Sequence, residues 1–323
     1  MSNQESFKQL KQHLQKVIVG QEPVLERMMI SLLTGGHLLL EGPPGLAKTT
    51  AVKTLAEAVK SSFQRIQFTP DLMPGDVMGS DILDPKTGLL SFVKGPIFNE
   101  IVLADEINRA PPKVQSALLE AMGEQQVTAG GKTRQLPDLF IVMATQNPLE
   151  QSGTYPLPEA QLDRFMLHVE LHYPSEEEEL TILRRDRARH FGEDKEALNA
   201  FLTPKMVLEA RHKVSEQFVS PEVEKYMVAL VGATRKLGEY DASLEDLIEI
   251  GASPRATLSL LHAASARAWL AGRDFVTPDD AIDLLPDILR HRIGLSFSGR
   301  AQKWTEDILI QKIIELVPVP VSN

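Results

Sequence analysis

Gly42-Pro43-Pro44-Gly45-Leu46-Ala47-Lys48-Thr49 follows an apolar run, Leu38-Leu39-Leu40, and leads into a helix-forming segment from Thr50 to Lys60. Strand, glycine loop and helix in that order form the setting of a phosphate-binding loop. Glycine lets the backbone turn tightly and aim successive N–H groups at one point. The helix N-terminus behind them adds roughly half a positive charge. In such a loop Lys48 reaches the β- and γ-phosphates and Thr49 ligates Mg²⁺. Ala47 stands where the strict pattern has its second glycine, and its methyl is expected to require a backbone already helical there. Taken alone, the stretch is also compatible with an ordinary strand-to-helix turn.

A second motif weighs against that bland alternative. Ile101-Val102-Leu103-Ala104-Asp105-Glu106 is an apolar strand ending in two acids. Continuous hydrophobics mark a buried parallel strand, and its carboxyl end is where open α/β sheets bind ligands. There Asp105 would hold Mg²⁺, directly or through water, and Glu106 would act as general base on the attacking water. A lone Asp-Glu pair is more often a solvated turn. Two phosphate-site motifs in the right order on one chain argue otherwise.

The 323 residues suggest one large domain or two. A net charge of −10 argues against broad nonspecific affinity for nucleic acid, although a local basic channel in an oligomer stays open. No cysteine is present, which excludes disulfides and cysteine-ligated zinc or iron–sulfur sites and fits a cytoplasmic location. Met1 to Lys16 is polar and lacks a signal-peptide core. No apolar stretch approaches the ~18 residues of a membrane span.

Five strand candidates alternate with helical stretches: Gly36–Glu41, Phe63–Phe68, Glu100–Ala104, Leu139–Thr145 and Phe165–Leu171. This predicts an α/β fold, a five-stranded parallel sheet with helices on both faces. Two stretches interrupt it. Asp81 to Gly95, around Asp84-Pro85-Lys86-Thr87-Gly88, and Gln126 to Leu136, around Gly130-Gly131, read as hairpins or as plain surface loops. Further on, Thr203-Pro204, Ser220-Pro221, Ser253-Pro254 and Thr277-Pro278 each open an amphipathic run, which is a helix-start signature. Ser175 with Glu178 forms a capping box. The expected organisation is an αβα nucleotide-binding core over residues 1–172 and an all-α domain over 173–323.

Three more residues are candidates for the site. Asn147, after the fourth strand, could orient the lytic water, or simply be a turn residue before Pro148. Arg164 could be an arginine finger aimed at a neighbouring subunit's γ-phosphate, or pair locally with Asp163. Arg255 lies in a first helical turn, where a cation is slightly unfavourable. An anionic partner would explain it, but so would simple exposure.

Together, Gly42–Thr49, Asp105-Glu106-Ile107-Asn108-Arg109-Ala110-Pro111-Pro112, Ala144-Thr145-Gln146-Asn147-Pro148, Gly153 through Phe165 and Gly251-Ala252-Ser253-Pro254-Arg255-Ala256 resemble the MoxR family of AAA+ ATPases. The similarity extends over nearly the whole chain. It implies an AAA+ P-loop core with a helical lid, ATP and ADP as ligands with Mg²⁺, and a hexameric ring of identical subunits. It also implies chaperone-like action on a partner protein complex, sometimes with metal-cofactor insertion, and partners that carry a von Willebrand factor A domain. By the same resemblance Asn147 is sensor 1, Arg164 the arginine finger and Arg255 sensor 2. Val19, Gly20 and Gln21 lie by the adenine, and Gly42, Pro43, Pro44, Gly45, Leu46, Ala47, Lys48, Thr49 and Thr50 line the phosphates. The two hairpins resemble the helix-2 insert and pre-sensor-1 hairpin of this clade. Ala47 is the usual residue of the family's loop. No further C-terminal domain is expected after the lid.

Other readings stay open at this point. One is a nucleotide-dependent assembly switch with little turnover, which the intact Glu106 disfavours. Another is a nucleic-acid motor of the helicase type, disfavoured by the acidic balance and by the few basic residues, Lys132 and Arg134, of the second hairpin. An enhancer-binding activator would need a Gly-Ala-Phe-Thr-Gly-Ala loop, which the chain lacks.

Overall fold

The computed structural model describes residues 3–83, 85, 88–148, 153–190 and 201–320. In chain order the elements are α1 (Asn3–Val17), α2 (Glu22–Thr34), β1 (Leu38–Glu41), α3 (Lys48–Ala58), β2 (Phe63–Gln67), α4 (Pro74–Met78), β3 (Gly79–Leu83), β4 (Leu90–Lys94), β5 (Ile101–Asp105), α5 (Pro112–Glu124), β6 (Gln126–Ala129), β7 (Lys132–Gln135) and β8 (Ile141–Gln146). They continue as α6 (Glu159–Leu162), β9 (Leu167–Glu170), α7 (Glu176–His190), α8 (Pro204–Ser215), α9 (Pro221–Ala233), α10 (Leu237–Tyr240), β10 (Ile248–Ile250), α11 (Pro254–Leu270), α12 (Pro278–Leu289), β11 (Gly294–Leu295), α13 (Phe297–Ala301) and α14 (Glu306–Leu316).

The sheet order is β2-β5-β8-β1-β9. The pairs β2/β5, β5/β8 and β8/β1 are parallel. All five strand candidates are therefore present. Central strands are apolar up to their polar carboxyl ends because both their faces are covered: every residue of β5 is buried, as are Ile141 through Thr145 of β8. Edge strand β2 buries only Ile66 and carries polar residues around it. The register aligns the carboxyl ends along one rim, with Glu41 opposite Gln146 and Gln67 opposite Asp105. That rim positions the site.

Both interruptions are hairpins. β3 pairs antiparallel with β4 and β6 with β7. Gly130 and Gly131 take φ of +58° and +71°, the left-handed pair that a tight two-residue turn demands. Asp84, Lys86 and Thr87 of the other turn lie outside the described residues. Arg134 is spent within this region: it donates to the Ala129 carbonyl at 2.7 Å and sits 3.6 Å over the Phe92 ring.

Two compact units divide the chain, residues 1–157 with 169–208, and residues 158–168 with 209–323. The sequence reading set one boundary at 172/173, and the structure divides the chain elsewhere for identifiable reasons. Helix α7 groups with the first unit, where Arg185 donates to the Lys16 carbonyl. Pro158–His168 groups with the later helices, whose side chains hold its carbonyls.

Helices of the second unit begin where Ser/Thr-Pro pairs predict. Ser220 Oγ accepts from Val223 N at 3.3 Å, and Ser253 Oγ from Arg255 N at 3.3 Å. Thr277 and Asp280 form a capping box. Burial alone would raise the Asp280 pKa. Hydrogen bonds from Arg273, Thr277 and Arg267 outweigh it and hold the carboxyl below its ordinary value. Leu284, Leu285 and Ile288 of α12 are fully buried, as are Leu260, Ala263 and Ala264 of α11, on which α12 packs. A short antiparallel pairing of β10 with β11 is set among these helices.

Candidate nucleotide site

β1 ends at Glu41, and the loop that follows is fixed at its first residue. Gly42 N donates to the Gln146 carbonyl at 3.2 Å. A Cβ on Gly42 would meet the Leu171 carbonyl oxygen at 2.8 Å, so this glycine answers to a close backbone approach. Ala47 takes φ 55°, ψ 21°, the left-handed region. The expectation that its methyl needs a helical backbone is thus corrected. The chain turns left-handed at Ala47 before α3 starts at Lys48, at a cost of about 1–2 kcal/mol for an L-residue. No side chain caps α3. Its first-turn N–H groups, those of Lys48, Thr49 and Thr50, have the character of an anion site.

Lys48 Nζ donates to the Gly42 carbonyl at 2.6 Å and to the Gln146 carbonyl at 3.4 Å. Burial lowers its pKa, against the opposing pull of Asp105, Glu106 and Glu41. Asp105 Oδ1 accepts from Thr145 Oγ1 at 2.6 Å. Its Oδ2 lies 3.4 Å from Thr49 Oγ1 and accepts from Arg65 Nε at 2.9 Å and from the same guanidinium again at 2.6 Å. Glu106 has φ 57°. Its N–H donates to Thr145 Oγ1 at 2.9 Å, so one hydroxyl ties both acids to β8. Its carboxylate accepts from Gln67 Nε2 at 2.7 Å and pairs with Arg109 at 3.2 Å. Asn147 is buried just past β8, whose neighbours in the sheet are β5 and β1.

A hydroxyl and a carboxylate are hard oxygen donors, the type Mg²⁺ takes while phosphates and water complete its shell. Thr49 and Asp105 fit that ion. Among the described residues no group of three or more His, Cys, Asp or Glu could hold a metal, so the protein's share of such a shell would be small.

Beside the loop lies a cavity of 220 Å³. Val19, Gln21, Gly45, Leu46, Ala47 and Thr50 line it, and α7 closes it with Ile182 and Arg185. Gln21 Nε2 donates to the His172 carbonyl at 3.0 Å. Gly20 takes φ +73°, and a Cβ there would collide with the Glu178 carboxyl. Pro43 and Pro44 complete the loop between Gly42 and Gly45.

Arg164 and Arg255 belong to the second unit. Arg164 follows α6, its N–H bonded to the Gln161 carbonyl at 3.2 Å. Arg255 is exposed, and its guanidinium meets Asp163 Oδ2 at 3.3 Å. The two arginines therefore share Asp163 as a neighbour, one through the chain and one through space.

Sequence reasoning missed Arg65 and Gln67. They stand two apart on β2, so they share one face, and both reach the acids of the adjacent strand. Polar residues at alternate positions of an apolar sheet's strand were a usable signal. Strand order, which decides what they face, was not readable from the sequence.

Residues 37–167 match the model of the ATPase family associated with various cellular activities (AAA), and residues 241–313 match the AAA lid domain. The chain is 44% identical over 313 residues to Chaperone MoxR1 of Mycobacterium tuberculosis, covering 96% of this chain and 81% of that protein. It is 30% identical over 323 residues to Protein MoxR of Methylorubrum extorquens, covering 94% and 92%. A crystal structure from Cytophaga hutchinsonii superposes with a TM-score of 0.90 at 43% identity, over 99% of this chain and 96% of that one. With a phosphate loop facing two strand-end acids, and with relatives matched along nearly their whole length, the chain belongs to the MoxR family of AAA+ ATPases.

Proposed function

We propose that this ATPase hydrolyses Mg²⁺·ATP at the rim formed by β1, β5 and β8, and uses the cycle to remodel or mature a partner protein complex. The observation that carries the reading is the convergence of Lys48, Thr49, Asp105 and Glu106, tied together through Thr145 and the Gln146 carbonyl. Lys48 neutralises phosphate charge from a position already held by two carbonyls. The α3 N-terminus supplies N–H donors to the phosphates, and the cavity beside Val19, Gly20 and Gln21 takes the base. Thr49 and Asp105 hold Mg²⁺, which when bound neutralises charge on the phosphate oxygens. Glu106 accepts the proton of the attacking water, and Asn147 orients that water. Arg164 of a neighbouring subunit stabilises transition-state charge, a contribution worth ~10³–10⁵ in rate among related enzymes. Arg255 reads the nucleotide state.

A finger supplied in trans requires a head-to-tail interface, and such interfaces close into rings. We propose a hexamer acting in the cytoplasm on a protein client, with a partner of the von Willebrand factor A type, and with metal-cofactor insertion as one form the client's maturation takes. No described helix is long and apolar enough to cross a membrane. Engagement of Arg134 by the Ala129 carbonyl of its own hairpin and by the Phe92 ring of the other weighs against a nucleic-acid motor.

Glu106→Gln tests the chemistry. The amide keeps the shape but cannot take a proton. ATP binding should persist, while steady-state turnover falls by about 10²–10⁴. Turnover within a few-fold of wild type would remove Glu106 from the mechanism.

A further inference from the structure

Asp163 and the carbonyls around Arg164 are gripped by three consecutive residues that follow α12. Arg292 is the centre of the grip, and its side chain is 2% exposed. Its Nε donates to Asp163 Oδ1 at 2.7 Å. One terminal nitrogen donates to the Ile288 and Met166 carbonyls at 2.6 and 3.1 Å. The other donates to the Phe165 and Asp163 carbonyls at 2.6 and 3.3 Å and approaches Ser259 Oγ at 3.4 Å. His291 Nε2 donates to the same Phe165 carbonyl at 3.0 Å, and Arg290 donates to the His168 carbonyl at 2.8 Å. Ser253 and Arg255 close on Asp163 Oδ2, each at 3.3 Å. A buried guanidinium is costly, and apolar packing is often as stable. Here every nitrogen of the fork is used, and the acceptors on either side of Arg164 are taken.

We propose that Arg292 is a positioning residue for Arg164: by fixing the carbonyls of Asp163, Phe165 and Met166 it sets where the Arg164 backbone stands in the second unit. This rests on the reading of Arg164 as a finger acting on the next subunit. The planar fork matters, because a lysine ammonium cannot bridge a carboxylate and three carbonyls at once.

The test is subunit mixing. Arg292→Lys alone should lower kcat about 10- to 100-fold, the scale of a ~1 Å misplacement, with KM for ATP within about threefold. Mixed with Lys48→Ala subunits, themselves inactive, it should regain activity, as should the control mixture of Arg164→Ala with Lys48→Ala. Co-purification of differently tagged subunits verifies joint assembly. The double variant Arg164→Ala/Arg292→Lys should lose no more kcat than Arg164→Ala. A loss of folding alone would be rescued in no mixture. Should Arg292→Lys fail to fold, by circular dichroism, Asp163→Asn carries the same expectations. Recovery in the control mixture without recovery for the Arg292 or Asp163 variant overturns the positioning role. Failure of the control mixture overturns the trans finger, and the positioning role with it.

Discussion

Lys48 and Asp105 are both held by the protein's own groups. Two carbonyls hold the ammonium, and a hydroxyl and a guanidinium hold the carboxylate. Preorganisation of this kind avoids reorganisation at the moment of reaction. Arg65 is the exception, because its positive charge lies on the carboxylate oxygen that approaches Thr49 and so would compete with the Mg²⁺ proposed there. Its side chain is 49% exposed, which makes the pair easy to exchange. Arg65→Gln should lower the Mg²⁺ concentration for half-maximal nucleotide binding several-fold, measured by fluorescence titration with a labelled ADP. A rise would show that Arg65 assists the ion. Ala47 carries the left-handed cost of about 1–2 kcal/mol, and glycine returns part of that in unfolded-chain entropy, about 0.5–1 kcal/mol. Ala47→Gly should therefore stabilise by about 0.5 kcal/mol, and Ala47→Val should destabilise. Equal urea midpoints for the three proteins would contradict the backbone assignment.

Elements of the second unit were legible at their starts and opaque in their contacts. A Ser or Thr before Pro is a local signal, and α9, α11 and α12 begin at those prolines. What Arg292 holds lies 129 residues away from it, as Asp163 does, and nothing local in the sequence encodes that pairing. His291 gives the same region a pH signature. Burial, with the charges of Arg292 and neighbouring His168, pushes its pKa well below the ordinary imidazole value. Below about pH 6.5 the unfolded chain binds a proton that the folded one refuses, so stability falls as pH drops through that window. The slope approaches about 1.4 kcal/mol per pH unit for one such group. His291→Gln keeps a donor for the Phe165 carbonyl and should flatten the slope between pH 6.5 and 5.5 in urea unfolding. An unchanged slope would place the titrating group elsewhere.

At the scale of the molecule, the parallel sheet and both phosphate-site motifs were readable because buried strands are continuous apolar runs and glycine loops have fixed spacing. Lys48, Thr49, Asp105 and Glu106 were named as candidates that way, and the fold brings them together. Arg65, Gln67 and Arg292 were not, because their meaning depends on strand order and on chain-distant packing. The account depends on Mg²⁺·ATP seated on Lys48 at the β1–β5–β8 rim. Titration calorimetry of the wild type and of Lys48→Ala with ATP, with and without Mg²⁺, tests this most directly. The expected result is saturable wild-type binding that tightens with Mg²⁺, and an affinity at least about tenfold weaker in Lys48→Ala, the loss of a charge-assisted contact worth about 1.5–3 kcal/mol. Equal affinity in the two proteins, or wild-type binding indifferent to Mg²⁺, would contradict it.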